Sequence, residues 1–413
     1  MQRIILHADF NAFYASVECL HRVEIRDKPV AVAGDPDKRH GIILTKNQYA
    51  KSFGIKTGEA IWQAKQKAPG LIVVPPNYPL YLKFARMGRE IYARYSSQIE
   101  PFGLDEAWID ISSAGRNMAE GEAIAQEIRE RVRDELGITV SVGVSFNKVF
   151  AKLGSDLKKP DAVTVITGSD YKDKIWPLPA GELLYVGRST NVKLRRYGMQ
   201  TIGDIANARP ELLKCILGKW GLVLHDFANG LDDSPVAVMD CDPPVKSIGN
   251  SCTTPRDMCS DEDVKLMFYV LSESVAARLR EGGFLCKTVQ IGLRDSELYS
   301  FERQCKLRRA TDISSEIAGA AFALFSQNYS WRRPLRSIGV RAADLTPYGS
   351  PVQLTLTEDE SKREKKEKLE RAIDDIRQRF GHFAIERAIM LKDSAMGSIN
   401  PKEEHVIHPV GFF

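Results

Sequence analysis

Three acidic residues stand where the chain would otherwise read as buried β-strand. Asp105 and Glu106 interrupt GLDEAWIDIS, whose Trp108, Ile109 and Ile111 belong to an apolar strand, and Asp9 ends the run IILHAD. Burying an unpaired carboxylate is costly, and two side by side also repel each other. Something positive should therefore sit beside the pair: a lysine, an arginine or a metal ion. Neighbours on a regular strand point to opposite faces. Asp105 and Glu106 can thus reach one site only at a strand tip or turn, which Gly103 permits. If the two acid-bearing strands are neighbours in one sheet, three carboxylates converge next to the backbone carbonyl of Phe10. Hard oxygen ligands of this kind suit Mg²⁺ or Mn²⁺. A pair of such ions about 4 Å apart can activate an attacking hydroxyl and neutralise a leaving pyrophosphate. Taken singly, each acid also fits a strand-end cap or an ion-pair partner.

The elements that must position these acids follow from periodicity. Residues 4–8 read as a strand and the segment after Asp9, from near Asn11, as a helix with Phe13, Val17 and Leu20 on one face. PVAVAG (29–34) and GIILT (41–45) are strands around a charged turn. Helices follow at Gln48–Phe53, stopped by Gly54, and across EAIWQAKQKA, with LIVVPP a short strand. Residues 78–99 have a helical pattern. Ile124, Ile128, Val132 and Leu136 recur every fourth residue, so 118–136 is an amphipathic helix. TVSVGVS is a strand and NKVFAKLGSDL a helix. This order predicts an α+β sheet with helices on one face.

After Gly168 the chain turns all-helical and glycine-punctuated to about residue 235. The Pro-rich, acidic stretch DSPVAVMDCDPPVKS reads as a linker. Residues 247–345 form a second α+β unit, with helices at 261–281 and 312–326 and strands at KTVQIGLRD, ERQCKLRRA and LRSIGVRAADL. The tail, 346–413, holds a charge-dense helix with a thin apolar stripe (Leu369, Ala372, Ile373, Ile376, Phe380), read as solvated and loosely packed. No repeat is present. The whole is an α+β multidomain protein.

With 413 residues, 43% apolar and 27% charged, the composition is that of a globular chain. The net charge of +4 does not by itself argue for nucleic acid. Seven scattered cysteines without a C-x-x-C pair point to reduced thiols and a cytoplasmic home. Neither a signal peptide nor an apolar run long enough to span a membrane is expected.

HADFNAFYASVE, then LDEAWID, then GVSFNKVFAKLGSDLKKPD resemble, in order and separation, the Y-family DNA polymerases, above all the bacterial DNA polymerase IV branch. The resemblance covers residues 1–345. It implies a right-hand polymerase: palm 1–10 and 76–166, fingers 11–75, thumb 167–233, linker 234–246 and little finger 247–345. It implies that Asp9, Asp105, Glu106 and the Phe10 carbonyl hold two Mg²⁺, with Mn²⁺ a substitute. Tyr14 becomes the steric gate that leaves no room for a 2′-OH, with Phe13 beside it mostly core. Lys159 contacts the triphosphate, while the roles of Lys148 and Lys152 stay open. Aligned on FGIKTG, Gln48 and Lys51 replace a family Tyr and Arg. Lysine keeps the charge but loses the bidentate fork. Gly103 replaces a usual serine.

VGRSTNVKLRRYGMQTIGDI resembles a helix-hairpin-helix, whose amides around Val186 and Gly187 would grip phosphate with help from Lys193. On the last α+β unit, Arg294, Arg303, Lys306, Arg308, Arg309, Arg332, Arg333, Arg336 and Arg341 suggest a basic strand face that tracks duplex DNA. VQLTL resembles a sliding-clamp-binding peptide through Gln353, Leu354 and Leu356, with Thr357 where an aromatic is usual. The expected partners are primer–template DNA, dNTPs and the clamp, with the protein a monomer and no membrane involved. The expected function is low-fidelity, template-directed DNA synthesis, as in translesion repair. The alternative is a DNA-binding scaffold that keeps the fold but is catalytically impaired.

Overall fold

The structure, a computed structural model, describes residues 3–35, 41–112, 117–239, 244–351 and 360–404. They fall into two compact units, one drawn from residues 3–34 and 42–239, the other mainly from 244–351 and 360–404.

The first unit starts with β1 (Ile5–Phe10) and α1 (Phe13–His21). Helix α1 begins two residues later than its periodicity suggests, because Ala12 takes the left-handed conformation at φ 47°. A three-stranded sheet follows, of β2 (Val30–Ala33), β3 (Ile43–Lys46) and β4 (Ile72–Val74), in the order β3-β2-β4. It carries α2 (Gln48–Ser52) and α3 (Ile61–Lys67). Next come α4 (Tyr78–Tyr92), β5 (Ile99–Phe102), β6 (Glu106–Asp110), α5 (Met118–Arg131), β7 (Val140–Ser145), α6 (Lys148–Leu157) and β8 (Val163–Val165). Helix α4 ends earlier than expected, since Ile99 already opens β5. Helix α5 closes on a π-helical turn, Val132–Leu136.

The main sheet has the order β5-β6-β1-β7-β8. Helices on one face were expected, yet every residue of β1 and β7 is buried, so both faces must be covered. Leu6, Ala8 and Phe10 pack with Val140, Val142 and Val144 against α4 and α5, through Phe84, Ala85, Ala125 and Ile128. The opposite face receives α6. It approaches so closely that a Cβ on Gly143 of β7 would lie 1.9 Å from the Ala151 carbonyl oxygen.

Five helices complete this unit: α7 (Tyr171–Ile175), α8 (Arg188–Arg196), α9 (Ile202–Asn207), α10 (Pro210–Leu217) and α11 (Lys219–Ala228). The stretch read as a linker is partly anchored. Val236 is buried with Ile5, Trp108 and Ala151, the Ala237 amide donates to Glu100 (2.9 Å) and the Met239 amide to the Ser97 carbonyl (3.0 Å).

The second unit is a four-stranded antiparallel sheet in the order β11-β10-β12-β9, from β9 (Ser247–Met258), β10 (Phe284–Asp295), β11 (Ser300–Thr311) and β12 (Leu335–Pro347). Helices α12 (Asp261–Glu281) and α13 (Ser314–Asn328) cover one face. Strand β9 was not foreseen; Gly249, Asn250, Ser251 and Pro255 hide its alternation.

The tail differs most from expectation. Helix α14 (Glu360–Phe380) leaves Leu369 and Phe380 exposed, at 54% and 74%, and buries Glu370. Glu370 meets Arg280 (3.1 Å), Arg387 (3.0 Å) and the Ser314 hydroxyl (2.5 Å). Further along, Met390 and Met396 enter the apolar core. The tail is held by buried charge and two methionines, not by the apolar stripe.

Candidate active site

Antiparallel pairing of β1 with β6 sets Asp9 opposite Glu106, on the face that α6 covers. Gly103, at φ 87°, turns the chain between β5 and β6, and Asp105 ends this turn. The Phe10 amide donates to the Asp105 carbonyl (3.0 Å), which ties the two strand tips together. The three acids and Phe10 thus share one end of the sheet.

Helix α6 and the turn that follows it supply the positive charge. Lys159 Nζ lies 2.5 Å from Asp9 Oδ2 and 2.8 Å from Asp156, and Lys152 is hydrogen-bonded to Glu106. Lys148 is occupied elsewhere, 2.7 Å from Glu100 and over the Trp108 ring. His7, fully buried, places Nδ1 2.9 Å from the Ser155 hydroxyl and Nε2 3.2 Å from Glu106, where Nε2 has no aligned hydrogen-bond partner. Burial lowers the His7 pKa and favours the neutral ring.

The lysines do not cancel the acids. Burial and then the Glu106 charge push Asp9 well above the usual carboxylate range, against the pull of Lys159. Burial and Glu106 likewise push Asp105 up to about 6. Burial also acts to raise Glu106, but His7 and Lys152 outweigh it and hold that acid low. Burial alone would lower Lys159; Asp9 and Asp156 reverse this. Among the described residues no three potential ligands stand close enough to hold a metal as they are. Asp9 and Glu106 face ammonium groups instead. The uncompensated negative charge and the hard oxygen donors nevertheless fit a divalent cation in place of the lysine contacts.

Beside the acids lies an aromatic shelf. The Tyr14 ring stacks on Tyr81 at 4.3 Å and 8° and meets the edge of Tyr78 at 5.8 Å. The Tyr81 hydroxyl donates to Glu18 (2.7 Å), so the ring under Tyr14 is itself fixed. Phe13 is buried and stacks on Phe10 at 5.1 Å. Nothing in the sequence marked Tyr78 and Tyr81, whose spacing reads only as helix. Asn11 joins this region to the KKPD turn. Its side chain donates to Ser141 Oγ (2.8 Å) and accepts from the Asp161 amide (2.8 Å), which holds Lys159 near Asp9.

Gln48 and Lys51 are exposed on α2, a short helix capped by Asn47, whose Oδ1 accepts from the Ala50 amide (2.9 Å). Lys46, which the sequence did not single out, ends β3 and donates to Thr57 Oγ1 (3.0 Å). Burial and then the neighbouring Lys51 charge lower its pKa, so two cations share this patch.

The hairpin before α8 differs in detail from expectation. The Val186 amide donates internally to the Leu183 carbonyl (2.9 Å), and only a single 3₁₀ turn, Ala180–Glu182, precedes it. Gly187 is the N-cap of α8, with open space where a Cβ would be, and Lys193 is exposed on that helix.

Strand register sorts the basic residues of the second unit. Arg294, Lys306 and Arg341 pair with Ser300, Thr288 and Gln290, on the sheet face away from the helices. Arg303 pairs with Ile291 on the helix-covered face and donates to Asn328 of α13 (3.2 Å). Arg309 is bound to Glu360 of α14. Arg332 lies in the loop after α13, by a cavity of about 550 Å³ that Arg303, Tyr299 and Phe301 also line. Arg333 there pairs with Glu297 (2.8 Å). Arg336 sits at a register irregularity, half-buried. The cations therefore do not alternate along one face, because alternation exposes only every second residue of a strand. Gln353, Leu354 and Leu356 lie outside the described residues.

The chain thus combines an acid-tipped mixed sheet and a run of helices in its first unit with an α+β second unit. Residues 8–156 match the impB/mucB/samB family, and residues 245–356 match the C-terminal domain of that family. The chain is 53% identical to DNA polymerase IV of Acetivibrio thermocellus, over 97% of this chain and 100% of that protein. It is 37% identical to DNA polymerase IV 1 of Bacillus subtilis, over 83% and 82%. A solved Y-family DNA polymerase chimera, Dbh-Dpo4(243-245)-Dbh, superposes with a TM-score of 0.73 at 25% identity, covering 83% of this chain and 99% of that one. The chain belongs to the impB/mucB/samB family, the Y-family DNA polymerases. It is a DNA-directed DNA polymerase of the translesion class, acting on DNA and nucleotides, and polymerases of this family are metal-dependent. Nothing in these likenesses favours the impaired-scaffold alternative. No described helix is long and apolar enough to cross a membrane.

Proposed function

We propose that this protein extends a primer by attack of its 3′-OH on the α-phosphorus of a dNTP, releasing pyrophosphate, with Asp9, Asp105, Glu106 and the Phe10 carbonyl as ligands of two Mg²⁺. When bound, the ions supply a lowered hydroxyl pKa and neutralise the triphosphate. The chain's own residues do the rest. Asp9 and Glu106 give up their lysine contacts to the metals, which frees Lys159 for the triphosphate. Lys51, with Gln48 as a neutral donor and Lys46 behind it, meets the same group from α2. Tyr14, braced by Tyr81 and Tyr78, presents a flat ring to C2′ and excludes a ribose hydroxyl by clash. Asn11 keeps Lys159 over the site.

Residues 1–10 and 76–166 act as palm, 11–75 as fingers, 167–233 as thumb and 247–345 as little finger. The amides from Gly187 onward and Lys193 take backbone phosphate, as do Arg294, Lys306 and Arg341 on the open sheet face. Such contacts make extension weaken steeply with salt. The protein works in the cytoplasm as a monomer, at low fidelity and on damaged templates, and 353–356 engages a sliding clamp. Replacing Gln353, Leu354 and Leu356 with alanine tests the clamp contact better than truncation, since the tail enters the core of its unit.

The observation that carries this reading is the register of Asp9 with Glu106, with Asp105 at the adjoining turn. The test is Mg²⁺-dependent primer extension on undamaged and damaged templates, with Asp105→Ala alongside. Extension by the wild type and none by the variant supports it. Equal extension by both would remove these acids from the chemistry.

A further inference from the structure

Tyr185 stands in the left-handed region, at φ 68°, directly before the hairpin residues Val186 and Gly187. A bulky side chain rarely takes this conformation, whereas glycine takes it without strain. Strained residues of this kind gather at ligand clamps and active sites. The fold itself gains little from the ring, which is 56% exposed. It lies 5.6 Å from the Trp220 ring, at 60°, and 6.3 Å from Phe227, and Trp220 is itself 48% exposed. The two rings meet each other and leave an aromatic surface open to solvent.

What surrounds this surface narrows the choice of partner. Tyr185 precedes α8, and Trp220 lies in the first turn of α11; neither helix has an acidic residue in its first turn. Arg188 and Lys219, close to the two aromatics in the chain, are exposed. Burial, and then the charges of Glu100 and Asp232, raise the Tyr185 pKa, so the phenol stays neutral. Acid charge at the hydroxyl end makes that end unsuited to phosphate. The pair offers ring carbon, beside backbone amides and cations that take phosphate. On duplex DNA the bases are stacked inward and the phosphates are charged. The apolar surface next to a held phosphate is the C–H face of its deoxyribose.

We infer that Tyr185 and Trp220 pack against a deoxyribose of the duplex strand whose phosphate is held at Gly187, so that the hairpin grips DNA by an apolar contact as well as by charge. The inference rests on the reading of that hairpin as a DNA contact. Continuity with the hairpin and the flanking cations select DNA rather than an apolar protein partner.

The test uses the full chain. Duplex affinity is measured against NaCl concentration for the wild type, Tyr185→Gly, Tyr185→Asn, Trp220→Ala and Lys193→Ala, with a melting curve for each. Loss of a phosphate contact reduces the log–log slope by about 0.9, while loss of an apolar contact lowers affinity at every salt concentration and leaves the slope alone. Glycine and asparagine both accept the left-handed region, so the two Tyr185 variants should melt no lower than the wild type. They and Trp220→Ala should bind duplex about tenfold more weakly at an unchanged slope, the effect of roughly 55 Å² of apolar contact. Lys193→Ala should lose about 0.9 in slope. Wild-type affinity in both Tyr185 variants, with a reduced slope in Lys193→Ala, overturns the sugar contact and leaves the hairpin reading intact. Wild-type behaviour in every variant overturns the hairpin reading as well. A loss in Tyr185→Gly that Tyr185→Asn does not share assigns the effect to backbone freedom and overturns the contact. So does a lower melting temperature in both Tyr185 variants, since the fold then needs the ring. Wild-type self-association that Tyr185→Gly and Trp220→Ala abolish, with duplex affinity unchanged, gives the pair to a second copy of the chain and also overturns it.

Discussion

Asp105 is a carboxylate that the fold keeps at a cost, and replacing it should stabilise the protein while abolishing synthesis. Its pKa rises from 3.8 to about 6, through burial and the Glu106 charge. A carboxylate with a raised folded-state pKa holds its proton more tightly when folded than when unfolded. Its contribution is therefore fully present below about pH 4 and is lost as pH rises toward 6. At about 1.36 kcal/mol per pKa unit, the folded state above pH 6 carries a penalty of about 3 kcal/mol. Asp105→Asn keeps the shape and removes the charge. In metal-free buffer at pH 7.5 it should melt roughly 6–12 °C above the wild type. The gap should close below about pH 4. Mg²⁺ should narrow it at neutral pH, since an ion bound only by the folded wild type stabilises that protein. The assay is thermal unfolding of both proteins with EDTA from pH 4 to 8, followed by primer extension. A variant that melts at or below the wild type at pH 7.5 would refute the view that negative charge accumulates at these strand tips.

Tyr14→Ala should raise ribonucleotide incorporation about tenfold or more relative to dNTPs, measured as a ratio of kcat/KM, because the braced ring excludes the hydroxyl by contact. Gln48→Ala should raise the dNTP KM about tenfold, the worth of one hydrogen bond to a charged group, in single-nucleotide kinetics. Gly143→Ala should cost at least about 2 kcal/mol in urea unfolding and lower kcat, since the methyl displaces α6 and with it Lys152 and Lys159. Glu370→Ala should cost about 1–3 kcal/mol in unfolding of the second unit, since Arg280 keeps Asp374 and Arg387 keeps Glu273 while the buried Ser314 hydroxyl and both guanidiniums lose an acceptor.

Local signals were strong where one residue type has one physical use. The Gly103 turn, the stop at Gly54 and the apolar runs of β1 and β7 stand in the sequence and recur in the structure. Helix α12 coincides with its sequence span, 261–281. Strand β9 escaped because glycine, asparagine, serine and proline break the alternation that marks a strand. The tail helix misled through its apolar stripe. Hydrophobicity along a helix shows which face could be buried, while the buried carboxylates of Glu273 and Glu370, met by Arg280, Arg377 and Arg387, decide which face is.

The sequence by itself determined the kind of chemistry, because acids ending apolar strands need a counter-charge wherever the chain goes. It also determined most elements, since periodicity is local. Only the tertiary structure decided that Asp9 faces Glu106 rather than the opposite side, since a one-residue slip in strand register reverses every side chain. The same holds for Tyr81 beneath Tyr14, for Lys152 at Glu106 and for the parting of Arg303 from Arg341. These contacts join residues far apart in the chain, and no local preference specifies them; packing does.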